Sequence, residues 1–404
     1  MDVGVARERI PGEKRVAVTP ESARQLVGLG LGVVVEEGAG TPAGYPDAAY
    51  AAAGARTVPF LDVATVDVVA HVRPLDPAAA TRLKPGTVTV GLASPSTELP
   101  TVRALADGRI TAFALELVPR ISRAQSMDAL TSQALVTGYR CVLEAAIRLP
   151  RFFPLYMTAA GTVPPARVLV LGAGVAGLQA IGTAKRLGAR VSANDIRPAS
   201  ADEVASMGGT FIRLDLDSPE GTAAAGGYAR ELTADRGALQ RQLLAPHVAD
   251  ADVLITTAAV PGRPAPLLVS ADMVAAMRPG SVVVDMAAES GGNVEGSVAG
   301  QDIVVPTADG GGEVTVVGLK DAASAMAFDA SRLYAKNVAN FIALLTSEGD
   351  VSPDFGDEVV AGACLTFDGG VLHEPTAQAL AALASATEPS RGAGEDEQIE
   401  GGAG

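Results

Sequence analysis

The sequence is poor in the residues that build disulfide frameworks and metal sites. It has two cysteines, Cys141 and Cys364, and three histidines in 404 residues. None of the histidines stands near another metal-type ligand in the sequence. Two isolated cysteines exclude a disulfide scaffold and fit a reducing compartment. We therefore expect no bound metal ion, and we expect a cytoplasmic location.

Basic residues and long apolar runs are also scarce. The 31 Lys and Arg face 46 Asp and Glu, for a net charge of −15, whereas nucleic-acid binding needs a basic face. The longest uncharged run, 168–184, contains a glycine turn and is shorter than the roughly 20 apolar residues of a membrane helix. The first residues lack the basic start and apolar block of a signal peptide. We expect no nucleic-acid partner and no insertion of this chain into a bilayer.

What the sequence does contain is a regular alternation of strand-like and helix-like stretches. In its first third, β-branched runs predict strands, with alanine-rich helices between them, at 3–6, 32–36, 67–72 and 87–91. A second alternating unit predicts strands at 167–171, 190–193, 211–214, 252–257 and 281–285, and near 314–317. Such alternation is typical of a mostly parallel sheet with helices on both faces.

Two long helical patterns, at 127–149 and 325–345, flank the second unit. We infer an α/β fold of two Rossmann-like, doubly wound parallel-sheet domains joined by these two long helices. The first domain would be discontinuous, 1–128 plus 325–375, because the chain leaves it through one long helix and returns through the other. Residues 359–372 would complete this domain. The second would span 129–324. The glycine- and acid-rich tail at 386–404 has little to bury and is predicted to be disordered.

A glycine-rich turn connects an apolar strand to a helix in the second unit. The string Gly172-Ala-Gly174-Val-Ala-Gly177 follows the strand at 168–171 directly. In this context Gly172 permits the tight turn, Gly174 lets a pyrophosphate approach the backbone, and Gly177 allows close helix–strand packing. The amides around Val175 and Ala176 would face the phosphates at the helix N-terminus. The sequence predicts a dinucleotide site.

Asp195 stands about 20 residues beyond the turn, at the end of the next strand. A carboxylate there accepts hydrogen bonds from the adenosine ribose and repels the 2′-phosphate of NADP, so NAD is the expected ligand. Ile196 and Arg197 follow it and are counted with the site. Arg197 leaves an alternative open, because its guanidinium is also suited to a 2′-phosphate.

Several motifs resemble the alanine dehydrogenase / nicotinamide nucleotide transhydrogenase superfamily across roughly residues 1–375. They are VARERIPGEKRVAVTP at 5–20, EGAG at 37–40, the glycine turn itself, PGRPAP at 261–266 and VDMAAESGGN at 284–293. The superfamily contains two chemistries. Amino-acid dehydrogenases need a general base and cationic clamps, whereas transhydrogenases pass a hydride between nicotinamides and need only positioning.

The alanine enzymes use an Arg, a Lys, a His and an Asp, and the resemblance places these at Arg15, Arg73, Ala93-Ser94 and Glu289. No base stands at the histidine position, so we prefer the transhydrogenase chemistry. In transhydrogenases a loop carries Arg, Gln and Asp in fixed order, which matches Arg120, Gln125 and Asp128, with Thr131 where the family has Ser. By resemblance these residues hold the nicotinamide end of NAD(H). The other interpretation is a charged helix entry with Asp128 as its cap.

The resemblance also implies a mobile loop at Gly227-Tyr228 that closes over the nucleotide, or else an ordinary surface loop, and a backbone contact at Ala259. It implies the NAD(H)-binding component of a proton-translocating NAD(P) transhydrogenase, which transfers hydride from NADH to NADP+ held on a partner. The expected assembly is a homodimer with an NADP(H)-binding subunit and an integral membrane subunit, peripheral at the cytoplasmic face. The alternatives are a divergent amino-acid dehydrogenase and a non-catalytic NAD-sensing module.

Overall fold

The computed structural model describes residues 1–215, 234–259 and 263–387. Its strands, in chain order, are β1 (Asp2–Val5), β2 (Gly32–Glu36), β3 (Arg56–Val58), β4 (Val68–Ala70), β5 (Val88–Gly91), β6 (Thr111–Ala114), β7 (Tyr156–Thr158), β8 (Gly161–Val163), β9 (Arg167–Leu171), β10 (Arg190–Asn194), β11 (Thr210–Phe211), β12 (Val253–Thr256), β13 (Val282–Asp285), β14 (Asp302–Pro306), β15 (Glu313–Gly318), β16 (Thr346–Ser347), β17 (Asp350–Val351), β18 (Cys364–Phe367) and β19 (Gly370–Val371).

The helices between them are α1 (Pro20–Gly28), α2 (Asp47–Ala52), α3 (Pro77–Ala80), α4 (Leu99–Asp107), α5 (Ala129–Arg148), α6 (Val175–Arg186), α7 (Ser200–Ser206), α8 (Ala234–Ala249), α9 (Ala271–Ala275), α10 (Ala327–Leu345), α11 (Glu358–Ala363) and α12 (Glu374–Thr387). Several of these helices begin where the local residues favour a helix start. At α1, for example, Thr19 caps the helix and Pro20 occupies its first position, where a missing N–H costs nothing.

The first sheet has eight strands in the order β19-β18-β6-β5-β4-β1-β2-β3. Strands β1 to β6 are parallel to one another, in the order of a dinucleotide-binding fold. Strand β18 pairs antiparallel with β6, and β19 pairs with β18. The returning chain therefore extends the sheet that the N-terminal residues begin, with two strands that lie inside the segment 359–372.

The second sheet has seven strands in the order β11-β10-β9-β12-β13-β15-β14. All its pairings are parallel except that of β14 with β15. Two α/β domains are therefore confirmed, but both sheets are mixed rather than purely parallel. Short turns join β14 to β15 and β18 to β19, as antiparallel pairing allows, whereas β18 reaches β6 only after the chain has passed through the second sheet. The domain limits at 128/129 and 324/325 stay predictions.

Each sheet is buried on both faces because alternate strand residues enter different cores. In the first sheet Val33 and Val35 pack with α10 residues, whereas Val34 packs with the cluster on the other side. In the second sheet Val168 and Val170 face α5 and α6, and Leu169 and Leu171 face α8 and α9. This explains why the strands read as unbroken apolar runs.

The two long helices pack against each other where they connect the sheets. The Ser132 hydroxyl of α5 donates to the side-chain oxygen of Asn337 in α10 at 2.7 Å. The Gln133 amide donates to the Ala330 carbonyl at 3.1 Å. Both predicted helices are confirmed, and α5 begins at Ala129, directly after its cap Asp128.

No described helix is both long enough and apolar enough to cross a membrane. Within the same residues, no group of three or more His, Cys, Asp or Glu side chains is arranged to hold a metal ion.

Candidate functional site

The glycine turn lies where the strand order of the second sheet reverses. It follows β9, which has β10 on one side and β12 on the other. Gly172 has φ of 99°, a conformation that favours glycine, and a Cβ there would lie 2.5 Å from the Thr257 hydroxyl oxygen. A Cβ at Gly177 would overlap the Gly172 carbonyl. Both glycines are therefore required by the fold, and ligands of such sheets bind in this crevice.

Gly174 has a different environment, because no atom of the described residues lies within 4 Å of the position its Cβ would occupy. It is the N-cap residue of α6, and no described side chain caps the helix. The first amides of a helix have no partner within it. The backbone at Gly174, Val175 and Ala176 thus offers donors and a partial positive charge beside open space, which suits a pyrophosphate.

Asp195 follows β10 and its carboxylate faces the glycine turn. Its Oδ2 accepts a hydrogen bond from the Ala173 amide at 2.7 Å, so the acid is tied directly to the turn. The side chain is 8% exposed. The carboxylate predicted to bind the ribose therefore lies against the turn predicted to bind the phosphates.

Arg197 folds back onto that acid instead of extending into solvent. Its Nε lies 3.1 Å from Oδ1 of Asp195 and its Nη2 lies 3.2 Å from Oδ2. The same Nη2 donates to the Ala173 carbonyl at 3.0 Å. Burial alone would lower the pKa of Arg197, but the Asp195 carboxylate raises it. Ile196, between the two residues, is half-buried.

The remaining cofactor predictions have different outcomes. Ala259 is exposed just after β12, at the same sheet edge as the glycine turn. Gly227 and Tyr228 lie outside the described residues, and so does the predicted tail from residue 388 onward.

A buried polar network behind the turn was missed by sequence reasoning. Asp285, at the end of β13, accepts hydrogen bonds from the Thr256 hydroxyl, the Ala287 amide and the Asn293 amide. The Asn293 side-chain amide donates to the carbonyls of Ala258 and Pro266, each at 2.8 Å. These contacts hold the loops after β12 and β13 together. They give the motif at 284–293 a structural role, whose only signal in the sequence is the pair of polar residues near the strand ends.

The loop before α5 brings its predicted site residues to the start of that helix. Arg120 and Gln125 are exposed, and Gln125 lies in the 3₁₀ segment Ser122–Met127. Asp128 caps α5 by accepting from the Thr131 amide at 2.8 Å and from its hydroxyl at 2.6 Å. The capping interpretation of Asp128 is therefore correct, and it is compatible with a role in binding, because Asp128 and Thr131 are only half-buried.

The loop is anchored on both sides. The side-chain amides of Asn337 and Asn340 in α10 donate to the Ser126 carbonyl at 2.9 and 3.1 Å. Arg123 donates to both carboxylate oxygens of Asp357, the cap of α11, at 2.9 and 2.7 Å. Both neighbours belong to the first domain, so the loop is held in place on that domain.

Helix α5 connects this loop to the glycine turn. Gly138, which packs on Ala176 beside the turn, lies ten positions beyond Asp128 along α5. At 1.5 Å per residue, the two residues are about 15 Å apart along the helix axis.

Two of the positions that the resemblance assigns to catalytic residues of alanine enzymes, Arg15 and Arg73, lie in a largely buried ion cluster. Glu13 accepts from Arg15 Nη2 at 2.6 Å and from Arg73 Nε at 2.7 Å, and Arg73 also pairs with Asp321. Burial alone would raise the pKa of Glu13, but the Arg15 and Arg73 side chains lower it to about 2. Glu289 accepts from the Asp321 amide at 3.2 Å.

The histidine position of the alanine enzymes holds no base. The amides of Ala93 and Ser94 both donate to the Glu116 carboxylate, at 3.0 and 2.6 Å. His71 lies beside the end of β5, where its amide donates to the Val90 carbonyl at 3.1 Å, but its side chain is buried, and burial lowers its pKa to about 4. Burial raises the pKa of Glu8 to about 7, against a hydrogen bond from the Val72 amide at 2.6 Å. Sequence reasoning missed Glu8 because nothing in its spacing distinguishes it from a surface acid.

Comparisons with known proteins cover nearly the whole chain. Residues 4–137 match the family described as Alanine dehydrogenase/PNT, N-terminal domain, and residues 141–374 match its C-terminal domain. The chain is 45% identical over 385 residues to a Rhodospirillum rubrum protein named as a portion of NAD(P) transhydrogenase subunit alpha, covering 92% of this chain and 98% of that protein. It is 30% identical over 299 residues to Bacillus subtilis alanine dehydrogenase, covering 73% and 72%.

Among solved structures, the chain is similar to a transhydrogenase from Sinorhizobium meliloti. The TM-score is 0.79 at 43% sequence identity, and the match covers 93% of this chain and 100% of that one.

Proposed function

The chain belongs to the alanine dehydrogenase/PNT family, and from this membership we propose that it is the NAD(H)-binding component of a proton-translocating NAD(P) transhydrogenase. The observation that carries the proposal is the 45% identity, over nearly the full length of both chains, to a transhydrogenase alpha-subunit protein. The alanine dehydrogenase relative is more distant, at 30%.

The proposed reaction is direct hydride transfer from NADH, bound on this chain, to NADP+ on a partner. The C4–H bond of the dihydronicotinamide breaks and its electron pair moves with the hydrogen to C4 of the second ring. No proton is released or taken up at either carbon, so the chain needs no acid or base and contributes positioning. The turn at Gly172–Gly177 would hold the pyrophosphate, and Asp195 the adenosine ribose.

The nicotinamide end would lie at the loop before α5, which carries Arg120 and Gln125, and at the start of α5, where Asp128 accepts from Thr131. Two features support this placement. The loop is fixed by hydrogen bonds to α10 and to the cap of α11. Its Arg120 and Gln125 side chains are exposed. In the proposal, the second nicotinamide approaches from this exposed side, carried by an NADP(H)-binding subunit, and Gly227 and Tyr228 belong to a loop over the bound nucleotide.

Amino-acid dehydrogenation is the less favoured function. Arg15 and Arg73, the positions of the carboxylate clamp, are both bonded to Glu13, and no imidazole stands at Ala93-Ser94. Glu8 is the observation in its favour, since a carboxyl with a pKa of about 7 is suited to proton transfer. An assay with NAD and alanine therefore belongs beside the transhydrogenation assay.

A homodimer is proposed on the basis of an exposed apolar arm. The hairpin β7–β8 leaves the second domain with every residue of both strands exposed. Met157 is 76% exposed, Phe152 57% and Leu155 51%. Apolar patches of this kind mark protein–protein contacts. A second copy of the chain is the proposed occupant, and an integral membrane subunit, with this chain peripheral at the cytoplasmic face, completes the proposed assembly.

The test is a hydride-transfer assay with isotopic labelling. The chain is mixed with a purified NADP(H)-binding transhydrogenase subunit, NADP+ and NADH deuterated at C4, in ordinary water. We expect NADPH carrying the deuterium at C4, and no label from the solvent when the isotopes are reversed. Robust turnover of NAD and alanine by the isolated chain, without transfer to NADP+, would favour the amino-acid dehydrogenase. Tight NADH binding with neither reaction would favour the sensing module.

A further inference from the structure

We propose that Asp195 and Arg197 act as a specificity pair: Asp195 selects the unphosphorylated adenosine ribose and also prevents Arg197 from binding a 2′-phosphate. This inference rests on the proposed function, because it assigns NAD(H) to the glycine turn. It differs from the usual account, in which the acid alone excludes the phosphate.

The first support is that the Asp195 carboxylate is fully occupied. Oδ1 accepts from the Arg197 amide at 2.8 Å and from Arg197 Nε at 3.1 Å. Oδ2 accepts from the Ala173 amide at 2.7 Å and from Arg197 Nη2 at 3.2 Å. Four donors fill the roughly four lone-pair sites of a carboxylate. Two of these donors are fixed backbone amides, and the other two belong to the guanidinium.

It follows that ribose hydroxyls bind Asp195 only by taking the place of the guanidinium. The two backbone donors hold the carboxylate against the turn and have no alternative position. The Arg197 side chain can move, because it is 20% exposed and lies at the surface of the site. Its two donors therefore occupy the positions that the two ribose hydroxyls would take.

The second support is the chemistry of the group that Asp195 holds. A guanidinium presents planar paired donors that match phosphate oxygens. Its two hydrogen bonds to Asp195, at 3.1 and 3.2 Å, are shorter than the 4.0 Å that separates its Nη2 from Oε2 of Glu203. If the Asp195 carboxylate is removed, the guanidinium loses these two hydrogen bonds beside the proposed ribose site, where a 2′-phosphate would also bind.

Two adenosine fragments test the pair without involving the nicotinamide end. 5′-AMP and 2′,5′-ADP differ only in the 2′-phosphate, and their binding is measured by calorimetry to the full chain. Four proteins are compared: wild type, Asp195→Ala, Arg197→Ala and the double variant. We expect wild type to bind 5′-AMP and to reject 2′,5′-ADP. Asp195→Ala should bind 2′,5′-ADP about 10- to 100-fold more tightly than the double variant, which corresponds to one or two charge-assisted hydrogen bonds.

The gain should shrink as salt is raised, because it comes from a contact between opposite charges, which salt screens in part. Equal 2′,5′-ADP affinity in Asp195→Ala and the double variant would overturn the proposal and leave Arg197 with a structural role. If Asp195→Ala folds poorly, Asp195→Asn replaces it, since the amide oxygen still accepts from Ala173 while the charge is lost. Failure of wild type to bind 5′-AMP or NADH would instead contradict the proposed NAD(H) site itself.

Discussion

Gly138 in α5 packs directly on Ala176 in the first turn of α6, with no space for a side chain between the helices. A Cβ at Gly138 would lie 2.9 Å from the Ala176 Cα and closer still to its carbonyl oxygen. Because the start of α6 is the proposed phosphate site and the start of α5 carries Asp128, one helix sets the positions of both ends of the nucleotide. The packing of Gly138 on Ala176 therefore affects the proposed nucleotide site.

Replacing Gly138 by alanine should therefore impair both stability and binding. Overpacking of a close helix contact typically costs about 1–3 kcal/mol, so the free energy of unfolding in urea should fall by that amount. NADH affinity should fall as well, because the amides at the start of α6 are displaced. The control is Gly237→Ala in α8, where a Cβ would meet, among the described residues, only Arg241 Nη1 at 3.7 Å. That change should be neutral or add about 0.5–1 kcal/mol of stability. Equal behaviour of the two variants would contradict the helix-contact argument.

Arg120→Ala should separate binding of NADH from transfer of its hydride. Arg120 is exposed on the loop that precedes α5, away from the glycine turn and Asp195, which provide most of the proposed affinity. We expect the NADH dissociation constant to change little and hydride transfer to NADP+ on the partner to slow by about 10- to 100-fold, since small misplacements of reacting atoms have effects of that size. Arg103→Ala, at an exposed position of α4, is the matched control. Unchanged transfer in Arg120→Ala would place the nicotinamide elsewhere.

The sequence predicted those parts of the molecule that depend on local pattern. Strand β9, the glycine turn and α5 were placed to within one or two residues, because apolar runs and helix caps are local signals. The predicted strand 211–214 is only Thr210–Phe211 in the structure, and β14 and β6 were missed. Edge strands such as β14, with its alternating exposure, lack the continuous apolar run that marks a buried strand.

The candidate site residues could be chosen from the sequence, but the contacts among them could not. Spacing alone predicted Asp195 beside the turn. The conformation of the Arg197 side chain depends on the Ala173 carbonyl, which follows β9, whereas Arg197 follows β10. For the same reason Thr257 and Asn293 could not be found: each becomes part of the site only when β12 and β13 pair beside β9.

Asp128 caps α5 and is proposed to bind as well, and conservative and non-conservative substitutions distinguish the two roles. Asp128→Asn keeps a capping oxygen for the Thr131 amide, whereas Asp128→Ala loses it, so only alanine should lower the free energy of unfolding, by about 0.5–2 kcal/mol. If the carboxylate also contacts the nicotinamide end or the partner, both variants should slow hydride transfer. Ser270→Ala, which removes the cap of α9, should cost similar stability and leave transfer unchanged. An Asp128→Asn protein with normal transfer would leave the residue as a cap alone.

The ion cluster around Glu13 should make stability depend on acid pH in a defined sense. The native pKa of Glu13 is about 2, below its ordinary value of 4.5. Its contribution is therefore fully present above about pH 4.5 and is lost as the pH falls toward 2. The size of the shift corresponds to about 3 kcal/mol, and the Glu13 side chain is fully buried in its pair with Arg15, so solvent screening does not reduce it greatly.

Glu13→Gln tests this dependence directly. At pH 7 the variant should be less stable by about 3–5 kcal/mol, because Arg15 and Arg73 keep their charges and lose their shared partner. The difference from wild type, measured by urea unfolding at pH 7, 5 and 3.5, should be largest at pH 7 and should narrow at pH 3.5, where Glu13 is mostly protonated in the unfolded state but still ionised in the native state. Glu374→Gln, at an exposed position of α12, controls for the change in net charge. A difference that stays constant over this range would show that the cluster stabilises by packing rather than by charge.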